Sequence, residues 1–147
     1  MLRIAAASPT APQWKPEEYR LAFASERSHK TGQVALFRMV LIAETEGVVC
    51  GFAVVAVLAT LYPADAELES LAVDVSWRRR GAGAALVKEA KHLAKQYGAD
   101  ALRLEVRAGN RTAIGLYERS GFAPLGVRPG YYANPTEDAI CMEVTNL

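Results

Sequence analysis

Between a strand-like run ending near Val75 and a helix-like run, the chain reads Arg78-Arg79-Arg80-Gly81-Ala82-Gly83. Glycines let a backbone pass close to a ligand, and the first N–H groups of a helix have no intrahelical partner. With the positive end of the helix dipole they form a seat for a pyrophosphate, and three arginines add charge-assisted contacts. The competing reading is a plain glycine-rich turn with solvated arginines. No Gly-Lys-Ser/Thr follows, so this is not a Walker P-loop, and the third glycine of a dinucleotide fingerprint is missing. Carboxylates are the second resource. Glu67 and Glu69 lie in a strand-like run and are predicted to share a face with Leu71 and Val73. Glu105 lies between Arg103 and Arg107, where the ordinary role is a cross-strand ion pair of small value. Tyr117 falls at helical spacing beside Ala113 and Ile114 and by itself reads as core. Tyr131 and Tyr132, in a Pro/Gly-rich stretch, can clamp a chain or anchor a loop.

The elements that must position these groups follow from periodicity. Pro16 with Glu17 and Glu18 marks a helix start. Residues 36–45 and 48–59 read as strands joined by a Glu46-Gly47 hairpin turn. Pro63-Ala64-Asp65 reads as the next turn, and Glu67 to Val75 as a third strand. Leu86, Ala90, Leu93 and Tyr97 recur on one helical face, and Gly98 stops that helix. Leu102, Leu104 and Val106 alternate with charged residues, giving a strand over 101–107. Asn110 caps a short helix to about Arg119. Residues 122–127 and 139–144 read as two last strands joined by a polar loop. Hairpins plus a crossover helix predict an α/β (α+β) fold, a mixed sheet with helices on its faces.

Composition narrows the classes. The 147 residues fit one domain, 1–147, with a core that needs no staple. Hydrophobic residues at 51% and charged residues at 22% argue against disorder. The net charge of +1 disfavours a direct nucleic-acid binder. It hides a split: residues 78–128 hold 11 basic and 4 acidic residues, the remainder 6 and 12. That asymmetry points to a local anionic ligand. Cys50 and Cys141 are expected to be buried free thiols, and no metal-ligand spacing occurs. The longest apolar run is too short and too interrupted to cross a membrane, and no full signal core is present. A cytoplasmic protein is expected.

The stretch Leu71-Ala72-Val73-Asp74-Val75-Ser76-Trp77 followed by Arg78-Arg79-Arg80-Gly81-Ala82-Gly83 resembles the acetyl-CoA site of the GNAT N-acetyltransferases. The downstream half, from Leu104-Glu105-Val106-Arg107-Ala108-Gly109-Asn110 through Leu116-Tyr117-Glu118-Arg119-Ser120-Gly121-Phe122, is similar to the RimI-type subgroup. So are Arg128-Pro129-Gly130-Tyr131-Tyr132 and Glu137-Asp138-Ala139-Ile140-Cys141-Met142. The resemblance covers about residues 12–145. It implies a GNAT fold with a mostly antiparallel sheet, acetyl-CoA as co-substrate without a metal, and acetylation of protein N-termini, typically the alanine of a ribosomal protein. It implies that Leu71, Ala72 and Val73 pair with the pantetheine arm, a backbone N–H near Val73 polarising the thioester carbonyl. Arg78, Arg79, Arg80, Gly81, Ala82, Gly83 and Ala84 match the pyrophosphate loop, and Asn110 a contact to the cofactor arm. Glu105 matches the RimI-type base and Tyr117 the acid that protonates the departing thiolate. Glu69, four residues before Val73, is a rival base, and a water relay using both or neither is a third arrangement. Tyr131 and Tyr132 match the segment that covers the incoming peptide.

Only 11 residues precede Pro12, fewer than an average strand and helix occupy, so a shortened N-terminal strand/helix region is expected. An edge left open there can be covered by another copy, so an oligomer is among the expectations. Two further functions compete: a GNAT acting on a small or RNA-linked amine, and a non-catalytic acyl-CoA binding module.

Overall fold

A computed structural model describes Ile4, residues 35–59 and residues 63–147. The expected N-terminal helix and the shortened N-terminal region lie outside the described residues. Strands β1 (Ala35–Thr45) and β2 (Val48–Ala59) form the predicted hairpin. Glu46 and Gly47 both take positive φ, 52° and 75°, the backbone of a two-residue hairpin turn. Cys50 to Val57 is buried without a break, as expected of a strand covered on both faces. Strand β3 (Ala64–Val73) starts inside the predicted turn, at Ala64.

Helix α1 (Ala82–Gln96) crosses over to strand β4 (Ala99–Arg107), which runs parallel to β3. Its buried stripe is Leu86, Val87, Ala90 and Ala94, while Tyr97, expected on that face, is exposed. Burying Leu86 and Val87 is worth about 1.5–3 kcal/mol each. Helix α2 (Arg111–Arg119) leads to strands β5 (Ala123–Ala133) and β6 (Thr136–Val144). The predicted polar loop between the last two strands is therefore mostly strand. Pro129 and Gly130 read as turn signals but sit in an irregularity of β5, where the register shifts between Arg128 and Tyr132.

The six-stranded sheet has the order β1-β2-β3-β4-β6-β5, antiparallel except for β3 and β4. Both helices pack on one face of this mixed, mostly antiparallel sheet. Their Leu86, Val87, Ile114 and Tyr117 join Val55, Leu68, Leu102, Leu104 and Met142 in one core.

Two irregularities shape the other face. The β2–β3 register skips Glu69, with Val54 opposite Ser70 and Val55 opposite Leu68. One extra residue reverses the alternation. Leu68 packs into the helix-side core, and so do Leu71 and Val73. Glu67, opposite Ala56 and Arg38, lies on the opposite face, and Glu69 reaches Arg38 there. The expectation that Glu67 and Glu69 share a face with Leu71 and Val73 is thus corrected.

The second irregularity is a fork. Pairing of β3 with β4 ends at Glu67 and Arg103. Beyond it, β3 pairs only with β2, and Leu104 to Arg107 pair only with β6. Arg103 closes the joined end, with Nη1 3.1 Å from Asp65 and Nε 2.7 Å from Glu143.

Candidate active site

The open edge of β3 leads directly into the glycine loop. Asp74 N–H donates to Cys50 O at 2.8 Å, anchoring the strand end. A short 3-10 turn follows, Val75–Trp77, with Asp74 Oδ1 accepting from Ser76 N–H at 2.9 Å. Arg78 Nε donates back to Val73 O at 3.0 Å, and the Arg80 guanidinium lies 5.1 Å from the Trp77 ring centroid. Arg78 and Arg80 thus brace the loop as well as charging it. Gly81 has φ +90°, a conformation that side chains resist. The first turn of α1 has no side-chain cap and no acidic residue. Its N–H groups, with the helix dipole, can receive an anion. Gly83 faces inward: a Cβ there would lie 3.2 Å from Leu116 Cδ2.

Across the fork, Asn110 Oδ1 accepts from Ala113 N–H at 3.2 Å and caps α2. That leaves its amide nitrogen for a ligand. Tyr117 is buried in the helix-side core, its ring 5.7 Å from that of Phe122. Burial and nearby Tyr132 push its pKa up. The hydroxyl stays protonated at neutral pH, the form a general acid needs.

The face opposite the helices gathers the carboxylates. Glu105 stands opposite Cys141 of β6. Its partner is Arg128 of β5, whose Nη1 donates to Glu105 Oε1. The expected neighbours, Arg103 and Arg107, are engaged elsewhere. The Tyr131 hydroxyl also bonds to Glu105, which raises the tyrosine's pKa. Glu69 has both carboxylate oxygens, at 3.0 and 2.9 Å, on Arg38 Nε. Among the described residues Glu67 makes no ion pair, and Arg38 and Arg128 act on it only as minor neighbouring charges. Partial burial and the charges of Glu69 and Glu105 push its pKa up.

Tyr131 and Tyr132 meet edge to face, with centroids 5.1 Å apart. They belong to β5, not to a loop. Arg128 covers the Tyr131 ring at 4.5 Å, and Arg107 covers the Tyr132 ring at 4.2 Å. Arg107 also donates to Glu137 at 3.0 Å, to Pro135 O at 3.2 Å and to Asn134 O at 3.3 Å. Glu137 in turn accepts from Gly109 N–H, and these two donors hold its pKa down. The tip of the β5–β6 hairpin is therefore tied to the end of β4. The Tyr132 pKa is pushed up to about 12, mainly by burial and by Glu105.

In agreement with the structure, sequence reasoning put the glycine loop before a helix, Glu105 on a strand and Asn110 at a helix cap. It missed the roles of Arg38, Arg107 and Arg128, which lie 31, 30 and 23 residues from their carboxylate partners. Only the strand register could have revealed them. Cys50 is a buried free thiol as expected, but Cys141 is only half-buried. Among the described residues no cluster suits a metal ion, and no helix is long and apolar enough to cross a membrane.

A strand edge opening onto an uncapped helix start, with carboxylates on the far face, is the layout of an acyl-CoA-dependent transferase. The family model of the GNAT acetyltransferases matches residues 2–122. The chain belongs to that family. Over 129 residues it is 30% identical to the N-alpha-acetyltransferase RimI of Mycobacterium tuberculosis, covering 88% of this chain and 73% of that one. The crystal structure of the ribosomal-protein-S18-alanine N-acetyltransferase from Escherichia coli superposes with a TM-score of 0.68 at 30% identity, covering 97% of this chain and 86% of that one. A "putative streptothricin acetyltransferase" from Bacillus anthracis, solved with acetyl coenzyme A, gives a TM-score of 0.64 at 28% identity, over 74% and 62% of the two chains. The protein is an acetyl-CoA-dependent acetyltransferase.

Proposed function

We propose that this acetyltransferase modifies protein N-terminal α-amines, with the N-terminal alanine of a ribosomal protein as its leading acceptor, in the cytoplasm. The observation that supports this best is the acceptor face: Glu105 beside Tyr131, with Tyr132 adjoining, across the fork from the cofactor loop. Acetyl-CoA suits the other side. The uncapped start of α1, with Arg78, Arg79, Arg80, Gly81, Ala82, Gly83 and Ala84, receives the pyrophosphate. The open edge at Leu71, Ala72 and Val73 takes the pantetheine arm as an added strand, and Asn110 offers its amide.

An α-ammonium of ordinary pKa ~7.7–8.0 must lose a proton before attack. In this reading Glu105 removes it through a water, while Glu69, held by Arg38, keeps the neighbourhood negative. The neutral amine attacks the thioester carbonyl. The N–H near Val73 stabilises the charge growing on the carbonyl oxygen. The C–S bond breaks, and Tyr117 protonates the leaving thiolate.

A panel of peptides differing at residue one, plus free polyamines, incubated with acetyl-CoA and read by mass, tests the acceptor. Peptides gaining one acetyl group support the reading. Acetylation of polyamines alone favours the second reading, a small-amine acceptor, to which the likeness to the streptothricin enzyme lends support. Glu105→Gln should lower kcat/KM by ~10²-fold or more. An unchanged rate there, with a collapse in Glu69→Gln, moves the base to Glu69.

A further inference from the structure

Arg128 already occupies the place where the proposed reaction needs a cation. Its Nη1 donates to Glu105 Oε1, and its guanidinium carbon lies over the Tyr131 ring, 4.5 Å from the centroid. The Arg128 side chain is 56% exposed and that of Glu105 only 20%, so the arginine covers the carboxylate from the solvent side. The charges around Glu105 sharpen the point. From β3 come Glu67 and Glu69, the latter paired with Arg38 of β1. From β6 comes the Cys141 thiol, and from β5 come Arg128, Tyr131 and Tyr132. Arg103 and Arg107 of β4 flank Glu105 but pair with Glu143 and Glu137. Among the described residues the other charges around Glu105 are then Glu67, Glu69, Arg38 and Arg128, which with Glu105 leaves one negative charge in excess, but the best-placed carboxylate is taken.

The backbone pairing next to Arg128 is irregular. Its own register partner is Ala139, and the next paired residue is Tyr132, opposite Glu137. Between them, Gly130 takes φ +60° and its N–H donates to the Asp138 side chain at 2.8 Å instead of to a strand. Arg128 can therefore swing outward without unzipping the hairpin, whose tip Arg107 holds separately.

We propose that Arg128 is a specificity-determining residue that seats its guanidinium on Glu105 until an acceptor ammonium carried by an extended peptide displaces it. The inference rests on the reading of Glu105 as the acceptor carboxylate. An exposed ion pair is weak and gives way to a ligand with more contacts. A small amine merely exchanges one cation for another at Glu105 and gains nothing further. A peptide also offers the displaced guanidinium its backbone carbonyls beyond the first residue, so Arg128 is re-paired rather than stranded and the cost of displacing it is recovered. Arg128 thereby penalises small amines more than peptides.

The test compares wild type, Arg128→Met and Arg128→Lys with acetyl-CoA and two acceptors, an alanine-initiated peptide and alaninamide. In Arg128→Met, kcat/KM for alaninamide should rise tenfold or more, chiefly through KM, while the peptide changes less than threefold. Arg128→Lys restores a cation and should keep the wild-type ratio. Equal changes for both acceptors, whether losses or gains, would overturn the proposal. A second readout needs no turnover: methylammonium binding followed by the Glu105 carboxyl carbon shift in labelled protein. Affinity should be at least fivefold tighter in Arg128→Met than in wild type. Equal affinity refutes the proposal. A wild-type enzyme that acetylates no α-amine refutes the proposed function alone, because the methylammonium titration still decides the role of Arg128.

Discussion

Ser70 is 3% exposed, and its hydroxyl has no hydrogen-bond partner among the described residues. A buried polar group without a partner costs roughly 1–3 kcal/mol. Ser70→Ala should therefore leave stability unchanged or raise it, as a shift of the thermal midpoint would show; a fall of several degrees would reveal a hidden partner. Glu67 gives the opposite kind of test, because its raised pKa ties stability to pH. The folded state holds that proton more tightly than the unfolded chain. Stability is then lost as pH rises from the unfolded pKa through the raised folded one. Glu67→Gln should stabilise the protein at pH 7 and change little at about pH 4. Denaturant midpoints at the two pH values decide it, and equal effects at both would remove the electrostatic explanation. Neither property was legible in the sequence. The charge on Glu67 depends on Glu69 and Glu105 reaching it from a bulge and from another strand.

The cofactor loop was legible because its signals are local: consecutive arginines, two glycines and a helix start lie within a few residues. The acceptor face was not, because single elements depart from their own periodicity. The extra residue at Glu69 reverses the faces of β3, which a strict alternation cannot anticipate. In β5, Pro129 and Gly130 carry the local chemistry of a turn, yet hydrogen bonds to β6 resume at Tyr132. The packing of α1 against α2 makes the element-scale prediction. A Cβ on Gly83 would sit tightly against Leu116 Cδ2, at 3.2 Å, in the turn proposed to receive the pyrophosphate. Gly83→Asp adds both a clash and a negative charge there, and should abolish CoA binding by calorimetry while the fold persists by circular dichroism. Gly83→Ala removes the charge and keeps most of the clash, so its affinity should fall less. Unaltered affinity in Gly83→Asp would refute the cradle.

In the proposed reading, the molecule as a whole separates two substrates by a sheet. The near-neutral total divides into a basic half beginning at Arg78, which supplies the cofactor loop, and an acidic remainder that contributes Glu67 and Glu69 to the opposite face. Among the described residues, the fork between β3 and β4 is a break in pairing through which, in this reading, the thioester meets the amine from the other side. Such a layout favours direct transfer in a ternary complex. It also brings a rival into view, since the half-buried Cys141 thiol shares a face with Glu105 and could carry the acetyl group between two half-reactions. The two routes differ in observable ways. Direct transfer predicts initial-rate lines that intersect when both substrates are varied, no acetyl group on the protein after incubation with acetyl-CoA alone, and near-wild-type turnover in Cys141→Ala. Parallel lines, with one acetyl group retained on Cys141 and lost on adding the peptide, would assign the thiol to the chemistry. The geometry favours the first outcome. Cys141 lies in β6, which β4 separates from the open edge of β3, so the thiol is not beside the strand edge proposed for the thioester.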